Sequence, residues 1–334
     1  MTSSACKVTG AAEKFSPVGY HSQTMGTLKA YLQLCRFPAL FTALADIMLG
    51  FLLTRNSLDP LPKLLCLMGA SAGLYLSGMV WNDIFDREED TRERPGRPIP
   101  SGRVSLNSAI LFASVLMLAG LGCAAAAGMR SLMVAGMLTG AIFLYDWLMK
   151  RTFLGPFIMG GCRFLNVILG ASSAGIRFAS AWVLPQWWVA ASLGVYICGV
   201  TWFSRTEAAT SRRSLLIFAA AIVNLGMLGL ATWIGGWTIS SGFLIGAGGV
   251  REPQLVLLML GMIALSINRR ILMAIQHPEP AYVQSGVKVM LLSVIMLDAT
   301  CIYFKLGDPG MVFAAATALL VIPALIVGKW MSMT

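Results

Sequence analysis

PKLLCLMGASAGLYLSGMVWNDIFDREEDTRERPGRPIPSGR runs from Pro62 to Arg103. Its first half is an apolar run reaching about Asn82, which matches the roughly 20 residues that an α-helix needs to cross a hydrocarbon core of about 30 Å. The run lacks the period-2 alternation of a barrel strand, so the sequence predicts a membrane-spanning helix. Six of the fifteen acidic residues of the chain then fall between Asp83 and Glu93, and Arg92, Arg94, Arg97 and Arg103 follow at once.

Working outward, the same apolar pattern recurs. Candidate spans lie near residues 30–54, 62–82, 106–128, 131–148, 154–175, 186–203, 214–236, 253–272, 286–304 and 310–328. Of the 334 residues, 57% are hydrophobic and 12% charged, far from the balance of a soluble domain. The expected fold is all-α: a polytopic membrane helical bundle of nine or ten transmembrane helices, with the eighth and tenth segments as the doubtful spans. Residues 1–27 are polar and lack an apolar core of signal-peptide type, so they are expected to form a disordered tail. Residues 28–334 are expected to form a single transmembrane domain.

The charge pattern sets an orientation. Only Arg55, Lys63, Arg130, Arg177, Arg251 and Lys305 fall on one side of these spans, and Arg163 falls inside one. The rest of the 25 basic residues lie on the side of the amino terminus. By the positive-inside rule the amino terminus and the loops after spans 2, 4 and 6 are cytoplasmic, as in a cell inner membrane. The net charge of +10 is scattered over these loops as insertion demands, which argues against nucleic acid as a partner and for the lipid bilayer. Seven cysteines without paired spacing and two distant histidines, His21 and His277, supply neither a disulfide framework nor a His-based metal or triad chemistry.

If the second span continues as helix, Asn82, Asp86 and Asp90 stand at i, i+4 and i+8, forming one ridge of oxygen ligands. Two carboxylates and an amide suit Mg2+, which favours hard oxygen donors and is usually shared between one or two carboxylates and the phosphates of a substrate. The arginines that follow offer planar forks for phosphate, and Pro95, Pro98 and Pro100 restrict the backbone between them. Metal-holding acids beside phosphate-holding arginines at a membrane surface describe a clamp for a phosphorylated lipid. The same residues also fit a plainer reading, solvated ion pairs worth about 0–1 kcal/mol each.

The pattern Asn82-Asp83-x-x-Asp86-x-x-x-Asp90, followed by Arg94-Pro95-x-Arg97-Pro98-Ile99-Pro100-Ser101-Gly102-Arg103, resembles the first aspartate motif of the UbiA superfamily of intramembrane prenyltransferases. The digeranylgeranylglyceryl phosphate synthase and chlorophyll synthase branches are the most alike. CRFPALFTALADIMLG (Cys35 to Gly50) is similar to the first helix of that family, and LYDWLMKRTFLGP (Leu144 to Pro156) to its Tyr-and-Lys loop. The resemblance implies Mg2+-dependent transfer of a prenyl group from a polyprenyl diphosphate to a lipophilic acceptor of aromatic or glycerol-phosphate type. It implies a metal on Asn82, Asp86 and Asp90, and catalytic roles for Asp86, Asp90, Arg97 and Lys150. It also implies diphosphate contacts from Arg94, Arg97, Tyr145, Lys150 and Arg151.

The sequence departs from that family at the second aspartate motif. The segment VTWFSRTEAATSRR (Val200 to Arg213) has Glu207 as its one acid, so Glu207 is the candidate second metal ligand and Arg205 a candidate diphosphate contact. With GGCRFLN (Gly160 to Asn166), this segment resembles the EboC-like branch. In the fifth span, Arg163 and Asn166 are candidate acceptor-pocket residues or a structural pair. Asp46 and Asp298 are expected to form buried helix-to-helix hydrogen bonds, and Asp146 to be a solvated interfacial acid. Two further readings stay open: a non-catalytic relative that binds or moves a lipid or aromatic precursor, and a transporter coupled through Asp86 or Asp90.

Overall fold

The computed structural model describes residues 18–174, 182, 185–205, 210–236 and 253–330, with side chains from 26 to 329. Among these residues every regular element is helical: α1 (Val18–Leu34), α2 (Leu40–Thr54), α3 (Leu61–Phe85), α4 (Arg87–Glu93), α5 (Leu106–Ala127), α6 (Met129–Phe143), α7 (Gly155–Ala171), α8 (Gln186–Ser204), α9 (Arg213–Ile234), α10 (Pro253–Gln276), α11 (Pro280–Leu306), α12 (Met311–Leu319) and α13 (Val321–Trp330). Nine helical segments among the described residues are long and apolar enough to cross a membrane, and α7, with 17 residues, is a shorter tenth.

Three expectations need correction. The expected tail to residue 27 is helical from Val18 on, as part of α1. The first span is not one helix from residue 30: α1 stops at Leu34, Arg36 takes a left-handed conformation (φ 43°, ψ 48°), and a 3-10 turn over Phe37–Ala39 leads into α2. Pro38 accounts for the restart, because a proline disfavours helix at the residue before it and is tolerated in the first turn after it. The tenth segment is likewise two helices, α12 and α13, meeting at Leu320; Pro323 cannot donate to the carbonyl of residue 319.

Burial sorts the helices into an inner and an outer group. Across Phe37–Thr54, which ends in α2, 72% of the residues are buried inside the protein, against 22% of the spanning stretch of α10. The outer helices turn Leu111, Leu118, Leu225, Leu258, Met262 and Leu265 outward, the surface a bilayer would cover.

Hydrocarbon gives apolar helices no drive to associate, so close contact has to come from backbone approach at small residues. Gly50 of α2 meets α7 at Gly170, and a Cβ on Gly50 would overlap the carbonyl oxygen of Val167. Gly50→Ala is therefore expected to destabilise the bundle by about 1–3 kcal/mol, the range for overpacking. Gly136→Ala, with nothing within 4 Å of its added methyl, should stay near wild type. Thermal unfolding of both variants in nanodiscs checks this, and equal midpoints would remove the close crossing as a source of stability.

Candidate active site

The ridge expected at the end of the second span is present. The Asp86 N–H donates to the Asn82 carbonyl at 3.0 Å, Asp90 N–H to Asp86 at 2.8 Å and Arg94 N–H to Asp90 at 2.8 Å, so the helical ladder runs on from α3 into α4 through Asp86. Asn82, Asp83, Asp86 and Asp90 are all buried, while Glu88 on the other face of α4 is exposed. An ionised carboxylate is seldom buried without a partner. Each of these three has one.

The proline-bounded loop folds its second arginine inward. Arg97 Nη1 donates to Asp90 Oδ2 at 2.7 Å and to Asp83 Oδ1 at 3.2 Å. Arg94 stays exposed. Arg103, expected to be another phosphate fork, is a staple: its guanidinium donates to the Gly96 carbonyl at 2.7 Å and to Gln33 Oε1 at 2.8 Å, tying the loop to α1.

The second half of the clamp comes from the turn after α6. A π-helical turn over Leu144–Met149 delivers Lys150 Nζ to Asp86 Oδ2 and Arg151 to Glu89. Asp146 corrects an expectation. It is buried, and its Oδ1 accepts from Asn82 Nδ2 at 2.7 Å, so it orients the ridge amide instead of facing solvent. Arg205, at the end of α8, donates to the carbonyls of Lys150, at 3.2 Å, and Thr152. It braces the turn that carries Lys150. Glu207 lies outside the described residues.

Arg36 belongs to this cluster and was missed as a site residue. Its Nη2 donates to Asn82 Oδ1 at 3.2 Å and Asp83 Oδ1 at 3.4 Å. Burial works against its charge, but Asp83 above all, then Tyr75, Asp146 and Asp86, outweigh that effect and raise its pKa above the ordinary arginine value. The available signal was an arginine directly before Phe-Pro at the start of an apolar run, where a helix restarts. Read as one more basic residue on the positive side, it did not stand out.

Behind the clamp lies a cavity of about 270 Å³. Arg36, Tyr145, Asp146 and Ser204 line it together with Arg163 and Asn166. Its walls between these polar groups include Met79, Leu138, Ile142, Met159, Ile197 and Leu291. Arg163 Nη1 pairs with Asp46 Oδ2 at 3.0 Å. Asn166 Nδ2 donates to Asp46 Oδ2 and to the Ala43 carbonyl, each at 2.9 Å, and its Oδ1 accepts from Ser71 at 2.7 Å. Asp46 is thus the helix-to-helix acceptor expected of it. Asp298, fully buried on α11, meets the expectation too: its side chain hydrogen-bonds that of Asp46 on α2.

Among the described residues no three His, Cys, Asp or Glu side chains are grouped to hold a metal. The donor set still fits Mg2+ of the kind that keeps few protein ligands, with Asp86 and Asp90 as carboxylates, the Asn82 amide beside them, and phosphate oxygens completing the set.

The chain is similar to known proteins. Residues 43–279 match the model of the UbiA prenyltransferase family. A digeranylgeranylglyceryl phosphate synthase from Methanopyrus kandleri is 32% identical over 152 residues, 44% of this chain and 55% of that protein. The chain thus spans about half the length of the curated relatives it matches. A UbiA homologue from Aeropyrum pernix K1, solved without ligand, superposes with a TM-score of 0.61 at 16% identity, over 87% of this chain and 98% of that one. A UbiA homologue from Archaeoglobus fulgidus, solved with DMAPP and Mg2+, superposes with a TM-score of 0.50 at 16% identity, over 78% and 98%. These two likenesses concern the fold.

Proposed function

Because the chain belongs to the UbiA prenyltransferase family, we propose that it transfers a prenyl group from a polyprenyl diphosphate to a lipophilic acceptor inside the membrane, with Mg2+ as cofactor. One observation carries the reading. Beside an apolar-walled cavity whose lining residues Arg36 and Asp146 hold the ridge at Asn82, Asp86 is paired with Lys150 and Asp90 with Arg97, so each pair joins a group suited to a hard cation with a group suited to a phosphate.

In this reading the C1–O bond of the prenyl diphosphate breaks, and the diphosphate leaves with the electron pair. The acceptor's nucleophilic atom bonds to C1, and the proton it sheds leaves with the diphosphate. Lys150, Arg97 and Arg36 hold the phosphate oxygens and oppose the charge that develops on them, with exposed Arg94 and Arg151 at the entrance. Asp86, Asp90 and the Asn82 amide hold Mg2+, which when bound supplies further positive charge to the leaving group. Tyr145 lines the cavity, and the Met, Leu and Ile walls keep water from the electron-poor allylic fragment. Arg163 and Asn166 line the acceptor end. Arg205 acts by bracing the Lys150 turn, and Glu207 is the residue left to serve a second metal. By the basic-residue bias, the clamp faces the cytoplasm.

A second reading is motivated by the segment Val200–Arg213, where Glu207 stands as the one acid: a relative that binds a lipid precursor without turning it over. Purified protein in nanodiscs, given radiolabelled geranyl, farnesyl and geranylgeranyl diphosphates with Mg2+ and both aromatic and glycerol-phosphate acceptors, separates the two. Prenyl transfer is expected. Metal-dependent binding with no diphosphate release across the whole set would replace the enzyme with the lipid-binding protein.

A further inference from the structure

The clamp uses one end of the cavity, and the other end has its own chemistry. Ser71 precedes Asn82 on α3 by three turns, about 16 Å of helix, so the wall where α7 meets α2 and α3 is deep in the bundle. Asn166 is fully engaged there by Ser71, Ala43 and Asp46 and is framework. Arg163 is not fully engaged. It is part of the cavity wall, with one nitrogen on Asp46, while Nε and Nη2 are buried and have no hydrogen-bond partner among the described residues. Buried donors left without acceptors are uncommon and costly, so each calls for an explanation. A ligand oxygen lodged at this wall would supply the missing acceptor.

The charges nearby indicate which oxygen. Asp46 already matches the Arg163 guanidinium, and Asp298 of α11 interacts with the same Asp46. A carboxylate on the ligand would bring a third acid to one arginine in a medium that screens poorly. A neutral hydroxyl or carbonyl gains the hydrogen bond without that repulsion. We infer that the Arg163 wall is a recognition subsite for a neutral hydroxyl or carbonyl oxygen on a lipophilic ligand. It deepens the proposed function, on which it rests, by giving the acceptor end of the cavity a chemical class.

Three probes of one shape test it: 4-hexylphenol, 4-hexylbenzoate and hexylbenzene. Cys162 also lines the cavity, so ligand occupancy can be read as protection of Cys162 from N-ethylmaleimide, quantified by mass spectrometry of its peptide. The full chain in nanodiscs is used without metal or diphosphate, so the result stands apart from whether prenyl transfer occurs. The phenol is expected to protect at a concentration about fivefold lower than hexylbenzene, the value of one added hydrogen bond, and lower than the benzoate. In the paired variant Asp46→Asn/Arg163→Met, which removes both charges and every side-chain donor at position 163, the preference for phenol over hexylbenzene should vanish. Equal protection by phenol and hexylbenzene in the wild type overturns the subsite, as does a phenol preference that survives in the paired variant. Stronger protection by the benzoate overturns the neutral class. Should Cys162 resist alkylation, binding of tritiated 4-hexylphenol in competition with the other two probes decides the same three comparisons.

Discussion

Asparagine in place of Asp90 is expected to lower diphosphate release from a prenyl diphosphate by about 10²–10³-fold, the loss that follows removal of one preorganised charge-stabilising group. The substitution keeps shape and removes charge. Asp90 is buried and holds Arg97 through its Oδ2 at 2.7 Å. The neutral amide weakens the hold on Arg97, leaving Asp83 at 3.2 Å as that arginine's carboxylate, and takes a carboxylate from the ridge proposed to hold Mg2+. Glu88→Gln, two residues earlier on the exposed face of α4, removes the same charge from the same acidic run and is expected to leave release within about twofold, since exposed charges contribute little. Steady-state diphosphate release by the two variants, matched for the amount of monodisperse protein, makes the comparison. Equal losses would mean that the acidic run acts by its overall charge, and the ridge would lose its special role.

The second large effect is a coupling. Mg2+ taking Asp86 and Asp90 would strip Lys150 of its partner and leave Arg97 with Asp83 alone, while a diphosphate taking Lys150 and Arg97 would strip Asp86 and Asp90. Either ligand alone leaves charges unpaired in a part-buried site, which is costly. Bound together they satisfy all four groups. Each should therefore tighten the other by at least about tenfold, and by the same factor in both directions, because binding linkage is reciprocal. Calorimetric titration of Mg2+ with and without inorganic diphosphate, and the reverse, gives the factor. In Lys150→Met the acid Asp86 no longer needs to be released, so Mg2+ alone should bind more tightly than to wild type while the coupling shrinks. Independent binding of the two ligands in wild type would sink the partner-exchange idea.

Much of this was legible in the sequence for identifiable reasons. The spans are local properties: an apolar run of about 20 residues in a low-charge chain has few places to be except a membrane. The ridge is also local, because Asn82, Asp86 and Asp90 share a face as soon as α3 runs on, and the backbone ladder through Asp86 lets it do so. Where a proline interrupts an apolar run, the run's length alone misleads. The first segment restarts at Pro38 and the last breaks before Pro323, although both keep the composition of one span.

The misplaced side chains share a different cause. By spacing alone Arg103 is a phosphate fork, Asp146 a solvated acid and Arg36 a marker of sidedness; in the fold Arg103 is a loop staple, Asp146 is buried on Asn82, and Arg36 sits on the acidic ridge. Each of these roles depends on a partner remote in the chain, and no spacing rule reports it. Asp146 reaches Asn82 across 64 positions, and Arg36 reaches it across 46.

By itself, then, the sequence determined a helical membrane bundle and a ridge of Asn82, Asp86 and Asp90 beside a run of arginines, because hydropathy over a helix length and the 3.6-residue period act within one segment. Only the tertiary structure decided which base answers which acid. Helix packing, set by approaches such as Gly50 against Gly170, brings the α6–α7 turn and the α1–α2 break onto the end of α3. Burial there makes an unpaired charge too costly to leave, so the partner of each carboxylate follows from the distances between helices and not from the order of residues.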